Sequence, residues 1–309
     1  MVIKRGKSGA RLSAGDKVFD FFNALFMCIF MFVMFYPLYY TVIASISDMT
    51  QVGLGEVYIL PKGFTLEAYR QVFNYKQIWI GYRNSLLYTS LNIVYNIGIM
   101  LPIAYALSKK QLNGRTAITF YFVFTMYFSG GMIPNYLLRA KTLQMSDTIW
   151  PMVVGSLAVM QTVVTRTFFN SSVPDELYES AEIDGANQFQ CFFRIALPLS
   201  KPIIAVMALQ FGVESWNAFF NALLYVNKAS MQPLQLVLRQ IILMNQQLGV
   251  VRDYSNMTEE QINNMEIRAR LAESMKYSTI FIASAPMLIA YPFIQKYFVK
   301  GMLIGSIKG

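Results

Sequence analysis

Residues 172–198 read SVPDELYESAEIDGANQFQCFFRIALP: an acidic helix start, a glycine, and a second, aromatic segment ending in proline. Ser172-Val173-Pro174-Asp175-Glu176 predicts a helix start, because proline suits a first turn and acids there complement the positive end of the helix dipole. The helix from Asp175 to Asp184 is expected to stop at Gly185, which can take the left-handed conformation of a C-cap. A second short helix over about 188–195 is expected to end before Pro198, and Pro202 opens the next apolar run. Leu177, Ala181, Phe189, Phe192 and Phe193 supply apolar faces at helical spacing. On these residues alone two readings stay open: an amphipathic element lying on lipid headgroups, or a docking surface for a cytosolic partner.

The runs on either side place this segment in a membrane protein. Of 309 residues, 55% are apolar and only 14% charged, against roughly a quarter charged in soluble proteins. Six stretches approach or exceed the ~20 apolar residues a spanning helix needs: 19–46, 86–107, 117–134, 149–169, 202–225 and 278–298. Ser129-Gly130-Gly131 and Pro134 interrupt the outer end of the third. The first follows Lys4, Arg5, Lys7, Arg11 and Lys17, but it is too long for a signal-peptide core and no small-x-small cleavage site follows, so it reads as a retained helix. The expected fold class is all-α: a polytopic membrane protein of six transmembrane helices. Residues 1–18 and 299–309 are its end segments, 19–46 its first helix, and 83–298 a five-helix core with long loops at 172–198 and 226–277. Fourteen lysines and arginines fall on the side that receives both ends and 172–198, against 12 on the longer opposite side. That bias predicts a multi-pass cell-membrane protein with both termini cytoplasmic.

Composition also excludes chemistry. Histidine is absent, which removes Ser-His and Cys-His nucleophiles, His-ligated zinc or haem, and HExxH peptidases. Cys28 and Cys191 form neither a CxxC site nor a disulfide framework. No catalytic residue, metal site or cofactor is expected. The formal charge of +9 is spread over six segments, which suits an anionic leaflet and not nucleic acid. An intramembrane enzyme would need an aspartate pair inside spans, yet every aspartate except Asp20 lies outside them. Gly6-Lys7-Ser8 imitates part of a phosphate-binding loop, but the glycine required five residues earlier is missing, so the triplet is not read as a nucleotide site.

Glu179-Ser180-Ala181, then Gly185, then Ile195-Ala196-Leu197-Pro198 resembles the signature loop of the inner-membrane permease subunits of binding-protein-dependent ABC importers. That family's pattern is Glu-Ala-Ala, Gly and Ile-x-Leu-Pro at those distances, and this sequence departs from it only at Ser180. The flanks Asp184-Gly185-Ala186 and Pro198-Leu199-Ser200-Lys201-Pro202 are similar too, and the likeness covers roughly 83–309. It is closest in kind to the smaller permease of maltose-type, carbohydrate-uptake importers. Ser129–Pro134 and the tail from Val299 to Gly309 resemble permeases assigned to aldouronate or other complex oligosaccharides.

The resemblance implies a type I, MetI-like permease fold that works as a carbohydrate importer subunit. Its implied partners are a second permease in a heterodimer, two ATP-binding cassette ATPases, an extracytoplasmic solute-binding protein, the lipid bilayer and an oligosaccharide substrate. By the same likeness 172–198 is a coupling helix seated in a cleft of the ATPase. Glu179 would face a basic group there, Ala181 would allow close approach, and Gly185 would permit the sharp turn, with Asp184 beside it among the coupling residues. Ile195, Leu197 and Pro198 would anchor the second helix, and the tail 305–309 could add contacts. A secondary transporter, or an importer permease for a non-sugar solute, remains the alternative, although one intramembrane acid and no evident inverted repeat count against the former.

Inside the expected spans polar residues line up. Gln210, Glu214, Asn217 and Asn221 fall at spacings of four, three and four on the fifth, with Trp216 beside them, which predicts one polar helical face. An acid at membrane depth costs ~2.5–3.5 kcal/mol even on the lenient scale, so Glu214 is expected to face a cavity or a partner. Amides and a carboxylate suit sugar hydroxyls and an indole suits the apolar sugar face, so these five are expected to line the substrate pathway; interhelical glue is the competing reading. Span two offers Ser85, Thr89, Asn92 and Asn96, and span four Gln161, Thr162 and Thr165. In 226–277, Thr258-Glu259-Glu260-Gln261 predicts a capping box and a helix to about Lys276, as part of a docking loop for the binding protein or a helix on the membrane surface. Gly185→Asp is expected to abolish transport and uncouple ATP hydrolysis while leaving the protein inserted; normal uptake by that variant would defeat the docking reading.

Overall fold

The computed structural model describes residues 13–155, 157–250, 258–260, 275–289 and 291–292, and all regular structure among them is helical. They fall into two units, Met1–Ala68 and Tyr69–Gly309. In the first, α1 (Ala14–Ser45) is opened by the Ser13 amide donating to Asp16 Oδ2 at 3.0 Å. At 1.5 Å per residue, its 32 residues reach about 48 Å, more than a hydrocarbon core is thick. From Val18 to Leu38 its apolar side chains are exposed on every face, as lipid contact requires, while Ile43 and Ala44 near its end are buried and Tyr36 and Tyr39 donate to the carbonyls of Tyr58 and Ile59. After α1, Asp48 caps a short helix (Met49–Gly53), and the Thr65 amide returns to the Ile46 carbonyl at 3.0 Å. Gly63 holds φ +62°, and a Cβ there would stand 2.9 Å from that of Asp48.

The second unit is organised by α2 (Lys76–Ser108), which begins well before the apolar run at Leu86. Its two ends are apolar and its middle is polar. At the Lys76 end Ile78 joins Trp216, Leu234, Val237, Ile241 and Met275 in one buried cluster. At the Ser108 end Met100, Leu101, Ala104 and Tyr105 join Phe169, Phe192, Met207 and Phe211 in another. Gly81 belongs to the first contact, since a Cβ there would lie 3.0 Å from the Leu234 Cα. Around α2 run α3 (Arg115–Tyr127), α4 (Val159–Ser172), α5 (Asp175–Ile183), α6 (Gln188–Leu199), α7 (Lys201–Asn217), α8 (Phe220–Tyr225), α9 (Leu234–Val250) and α10 (Met275–Ile289).

Three of the expected spans are corrected. The third ends at Tyr127; beyond Ser129-Gly130-Gly131 the helical stretch Met132–Thr142 departs at 104°. The fourth is two pieces, Trp150–Val153 and α4, and residues 154–155 and 157–158 between them are non-helical. The fifth breaks after Asn217, where Ala218 is extended, and resumes as α8. Backbone groups freed by such breaks must be answered inside a membrane. Asn92 of α2 answers one, its Nδ2 donating to the Val153 carbonyl at 3.0 Å.

The stretch 226–277 is not a simple external loop either. Residues 229–234 are pinned by α2: Asn84 Nδ2 donates to the carbonyls of Ser230 (2.9 Å) and Gln232 (3.0 Å), Tyr88 Oη to that of Met231 (2.9 Å), and Ser85 Oγ accepts the Leu234 amide (2.9 Å). The first turns of α9 then bury Leu234, Leu236, Val237 and Ile241, so this part of the loop is core. Thr258 precedes helical Glu259 and Glu260, while Gln261, most of the helix expected to follow, the end of the sixth span and the tail lie outside the described residues.

One loop contact carries a titratable latch. Asp147, at φ +54°, accepts the amides of Asn227 (2.6 Å) and Lys228 (3.0 Å) on Oδ1, and its own amide donates to the Tyr225 carbonyl (2.8 Å). Those two amides hold the Asp147 carboxyl below the ordinary aspartate value of 3.8. A depressed carboxyl stabilises the folded loop above the unfolded value and loses that contribution as pH falls through the depressed one. Hydrogen exchange at the Asn227 and Lys228 amides, corrected for intrinsic rates, should therefore be protected at neutral pH and lose protection as pH drops below about 3.8. In Asp147→Ala the protection should be missing throughout, and equal protection in that variant would remove the latch.

Candidate functional site

The hairpin α5–α6 is built by local rules that the sequence spells out. Pro174 caps α5 and Asp175 and Glu176 occupy its first turn. Its end is a Schellman motif: Gly185 takes φ +83°, its amide donates to the Glu182 carbonyl (3.0 Å), and the Ala186 amide donates to Ala181 (2.8 Å). Ala181 and Ala186, the two residues joined by that longer bond, also pack against the buried cluster at the Ser108 end. Asp184 is the exposed C-cap. A Cβ at Gly185 meets nothing within 4 Å, so glycine is required there by backbone conformation and not by space.

Asn187 opens α6 through a reciprocal capping box with Gln190, both bonds at 2.9 Å. This Asn-x-x-Gln signal was legible beside Gly185 and the sequence reading passed over it. The expectation that the helix ends before Pro198 is corrected. Residues Phe192–Ala196 widen to a π turn in which the Leu197 amide reaches the Phe192 carbonyl, and the helix continues through Pro198 to Leu199. The wider register falls where proline has no N–H to give.

The hairpin is clamped to the end of α2. Tyr105 sets its ring against Phe192 (5.1 Å between centroids), Phe169 (5.9 Å) and Tyr178 (6.0 Å). Its hydroxyl donates to Gln188 Oε1 (3.0 Å), whose amide donates to Glu182 Oε1 (2.7 Å), so one chain of bonds ties α2 to both arms. Lys109 Nζ sits 3.0 Å from the Tyr178 ring centroid. Burial lowers the Lys109 pKa and pushes the Tyr178 hydroxyl up to about 12. Ile195 and Leu197 pack against the same cluster, whereas Glu179 and Pro198 are exposed. Around the left-handed glycine the hairpin displays Ile183 (86% exposed), Phe189 (77%) and Phe193 (59%). Ile183 was missed from the sequence because it falls on the outward side of a mostly acidic helix.

A second feature lies at mid-height of α2. A cavity of about 270 Å³ is lined by Ser85, Tyr88, Asn92 and Asn96 of α2, by Gly155, Ala158 and Gln161 at the first break, and by Glu214, Ala218 and Asn221 at the second. Both breaks thus meet at one polar chamber, where irregular backbone can be tolerated. Gln210 stands beside it, its Nε2 donating to Glu214 Oε1 at 3.2 Å. Because the helix breaks, Asn221 does not continue the Gln210–Glu214 face; it reaches the chamber from α8, and Asn217 is not among the lining residues. Trp216 points the other way. Its ring is 2% exposed, lies edge-on to Tyr82 (5.7 Å), and donates Nε1–H to the Ala283 carbonyl (3.1 Å), so in this structure it offers no face to the cavity. A broader groove of about 1070 Å³ adjoins through Ala158, Gln161 and Asn221 and reaches Ser129-Gly130-Gly131 and Arg139.

Residues 78–304 match the model of the family described as "binding-protein-dependent transport system inner membrane component". Protein LplC of Bacillus subtilis is 37% identical over 95% of this chain and 96% of its own length. The polygalacturonan/rhamnogalacturonan transport system permease protein YtcP of the same organism is 34% identical over 95% of this chain and 99% of its own length. Among solved structures, a chain of a bacterial ABC transporter involved in the import of the acidic polysaccharide alginate superposes with a TM-score of 0.82 at 30% identity, covering 94% of this chain and 99% of that one. A capped, glycine-hinged hairpin clamped to a long helix, and likeness over nearly the full length of these relatives, lead to one assignment: the chain belongs to the inner-membrane components of binding-protein-dependent transport systems.

Proposed function

We propose that this chain is one of two permease subunits of an ATP-driven carbohydrate importer, with the α5–α6 hairpin facing the cytoplasm as the seat of a separate ATPase. One observation carries the reading: Ile183 and Phe189 stand almost fully exposed on either side of Gly185, on a hairpin otherwise fixed by caps, stacked rings and charge-assisted bonds. Large apolar side chains held out on a rigid mount are what a partner's cleft buries. A lipid surface would bury the same groups, but Glu179 and Asp184 are exposed beside them and suit a basic protein cleft better than anionic headgroups.

The cavity supports the transport half. Glu214, Gln161, Asn96 and Asn221 offer a carboxylate and amides to sugar hydroxyls, and the relatives named for polygalacturonan and alginate handle sugars. About 270 Å³ falls below the roughly 300–1,000 Å³ of ordinary ligand sites, which fits a chamber whose remaining wall comes from a second, similar permease. An extracytoplasmic solute-binding protein delivers the substrate in this scheme, and both chain termini lie with the hairpin in the cytoplasm.

Replacing both Ile183 and Phe189 by Ser should weaken retention of the ATPase subunits about tenfold or more, as loss of hot-spot anchors does, while membrane insertion is kept. Co-purification at matched expression reads this out, and full retention would sink the docking assignment. Glu214→Leu and Asn221→Leu should each cut uptake severely with the complex intact. If both support normal uptake in a complex that assembles normally, the chamber is only a packing defect.

A further inference from the structure

The link between α2 and α3 gathers positive charge of which only Lys110 has an acidic partner among the described residues. A cavity of about 870 Å³ opens there, with Lys110, Arg115, Thr119, Phe120, Val123 and Arg166 on its walls and no acidic residue among those lining it. Lys110 is exposed and reaches Asp175 at 3.2 Å. Arg115 and Arg166, both half-buried, form no ion pair among the described residues. Arg166 projects from α4: one Nη lies at a limiting 3.5 Å from Thr119 Oγ1, and its Nε is buried with no hydrogen-bond partner. Arg115 and Arg166 line the same cavity, so two like charges face one space.

Arg115 also opens α3, where the helix dipole is already positive. The cap there is Gly114, with no capping side chain and no acid in the first turn. Two unpaired guanidinium groups, a buried unsatisfied N–H and uncapped amides are all relieved by the same thing, a phosphate oxygen. The rest of the surface says where that phosphate comes from. From the cavity, α3 continues as an exposed apolar face through Phe120 (71% exposed), Val123 and Phe124, at the end of two helices apolar enough to enter a membrane. A soluble phosphate would use only the cationic rim. A phospholipid would use both the rim and the apolar face.

We infer that Arg115 and Arg166 form a binding site for the headgroup phosphate of an anionic phospholipid, whose acyl chain lies along the Phe120–Phe124 face of α3. The full chain, extracted in mild detergent with the subunits that co-purify, can be titrated with phosphatidylglycerol or phosphatidylcholine and read by native mass spectrometry. Phosphatidylglycerol should be retained in preference. Combined Arg115→Gln and Arg166→Gln should lower its retention about tenfold or more, the loss of two interfacial charges. Combined Arg115→Lys and Arg166→Lys should keep most of it, and Arg139→Gln, a cation on another groove, should leave it unchanged. Millimolar inorganic phosphate should not displace the lipid; if it does, the site serves a soluble anion and the lipid assignment falls. Equal retention of both lipids by the unmodified chain, a measurement independent of any variant's folding, would overturn the proposal, as would undiminished retention after both charges are removed.

Discussion

The architecture depends on the polar side chains that α2 carries into the membrane. An unpaired backbone group in hydrocarbon costs several kcal/mol, so a spanning segment can break only where something answers the freed N–H and C=O groups. On α2, Asn92 answers Val153, Asn84 and Tyr88 answer the carbonyls of 230–232, and Ser85 answers the Leu234 amide. Asn84, Ser85 and Tyr88 can be buried, and Asn92 half-buried, because their partners are irregular backbone, and the irregular backbone is tolerated because they are there. Without that exchange, the fourth expected span would have to be continuous. Its helix would then close the space where Gly155, Ala158 and Gln161 line the chamber.

The same helix connects the chamber to the hairpin. Asn92 and Asn96 line the cavity and Tyr105 clamps α5 and α6, with roughly 20 Å of α-helix between Asn92 and Tyr105 at 1.5 Å per residue. Both ends of α2 are embedded in apolar clusters, which resist local deformation and favour movement as a body. A displacement imposed on the hairpin therefore has a stiff path to the polar chamber. The hairpin's own stiffness is chemically specified: the Schellman motif fixes its turn, the Asn187–Gln190 box its second helix, and the Gln188–Glu182 bond its two arms.

What the sequence made legible follows from the range of each interaction. Gly185, Ala181 and the start at Pro174 are governed by contacts within six residues, and the expected turn and helix start match the structure. The long apolar helices were legible from composition, because a helix alone among lipids needs nothing but apolar length. The breaks were not. Val154-Gly155 carries a weak signal, but Ala218-Phe219 has neither glycine nor proline, and its interruption is set by packing the sequence does not print. Assuming one unbroken helix is what put Gln210, Glu214, Asn217 and Asn221 on a single face. Trp216 failed for a related reason: helical position gave its direction, but only the distant Ala283 carbonyl shows that this direction leads into the core. The opening of α9 was read as a connector because its partners lie far away in sequence, on α2.

Glu214 shows how these constraints meet. On a helix expected to cross the membrane an acid facing lipid would cost ~2.5–3.5 kcal/mol, yet no cation pairs with Glu214 among the described residues and its Oε1 accepts from Gln210. The side chain is exposed on the chamber wall and not packed in a core, so its carboxylate is open to whatever fills the chamber. Retaining the carboxylate makes sense if the chamber is hydrated and the acid meets a passing polar ligand. The two helix breaks supply that chamber, and the side chains of α2 make the breaks affordable. The polar middle of one helix therefore underlies both the irregular fold and the chamber proposed as the sugar path.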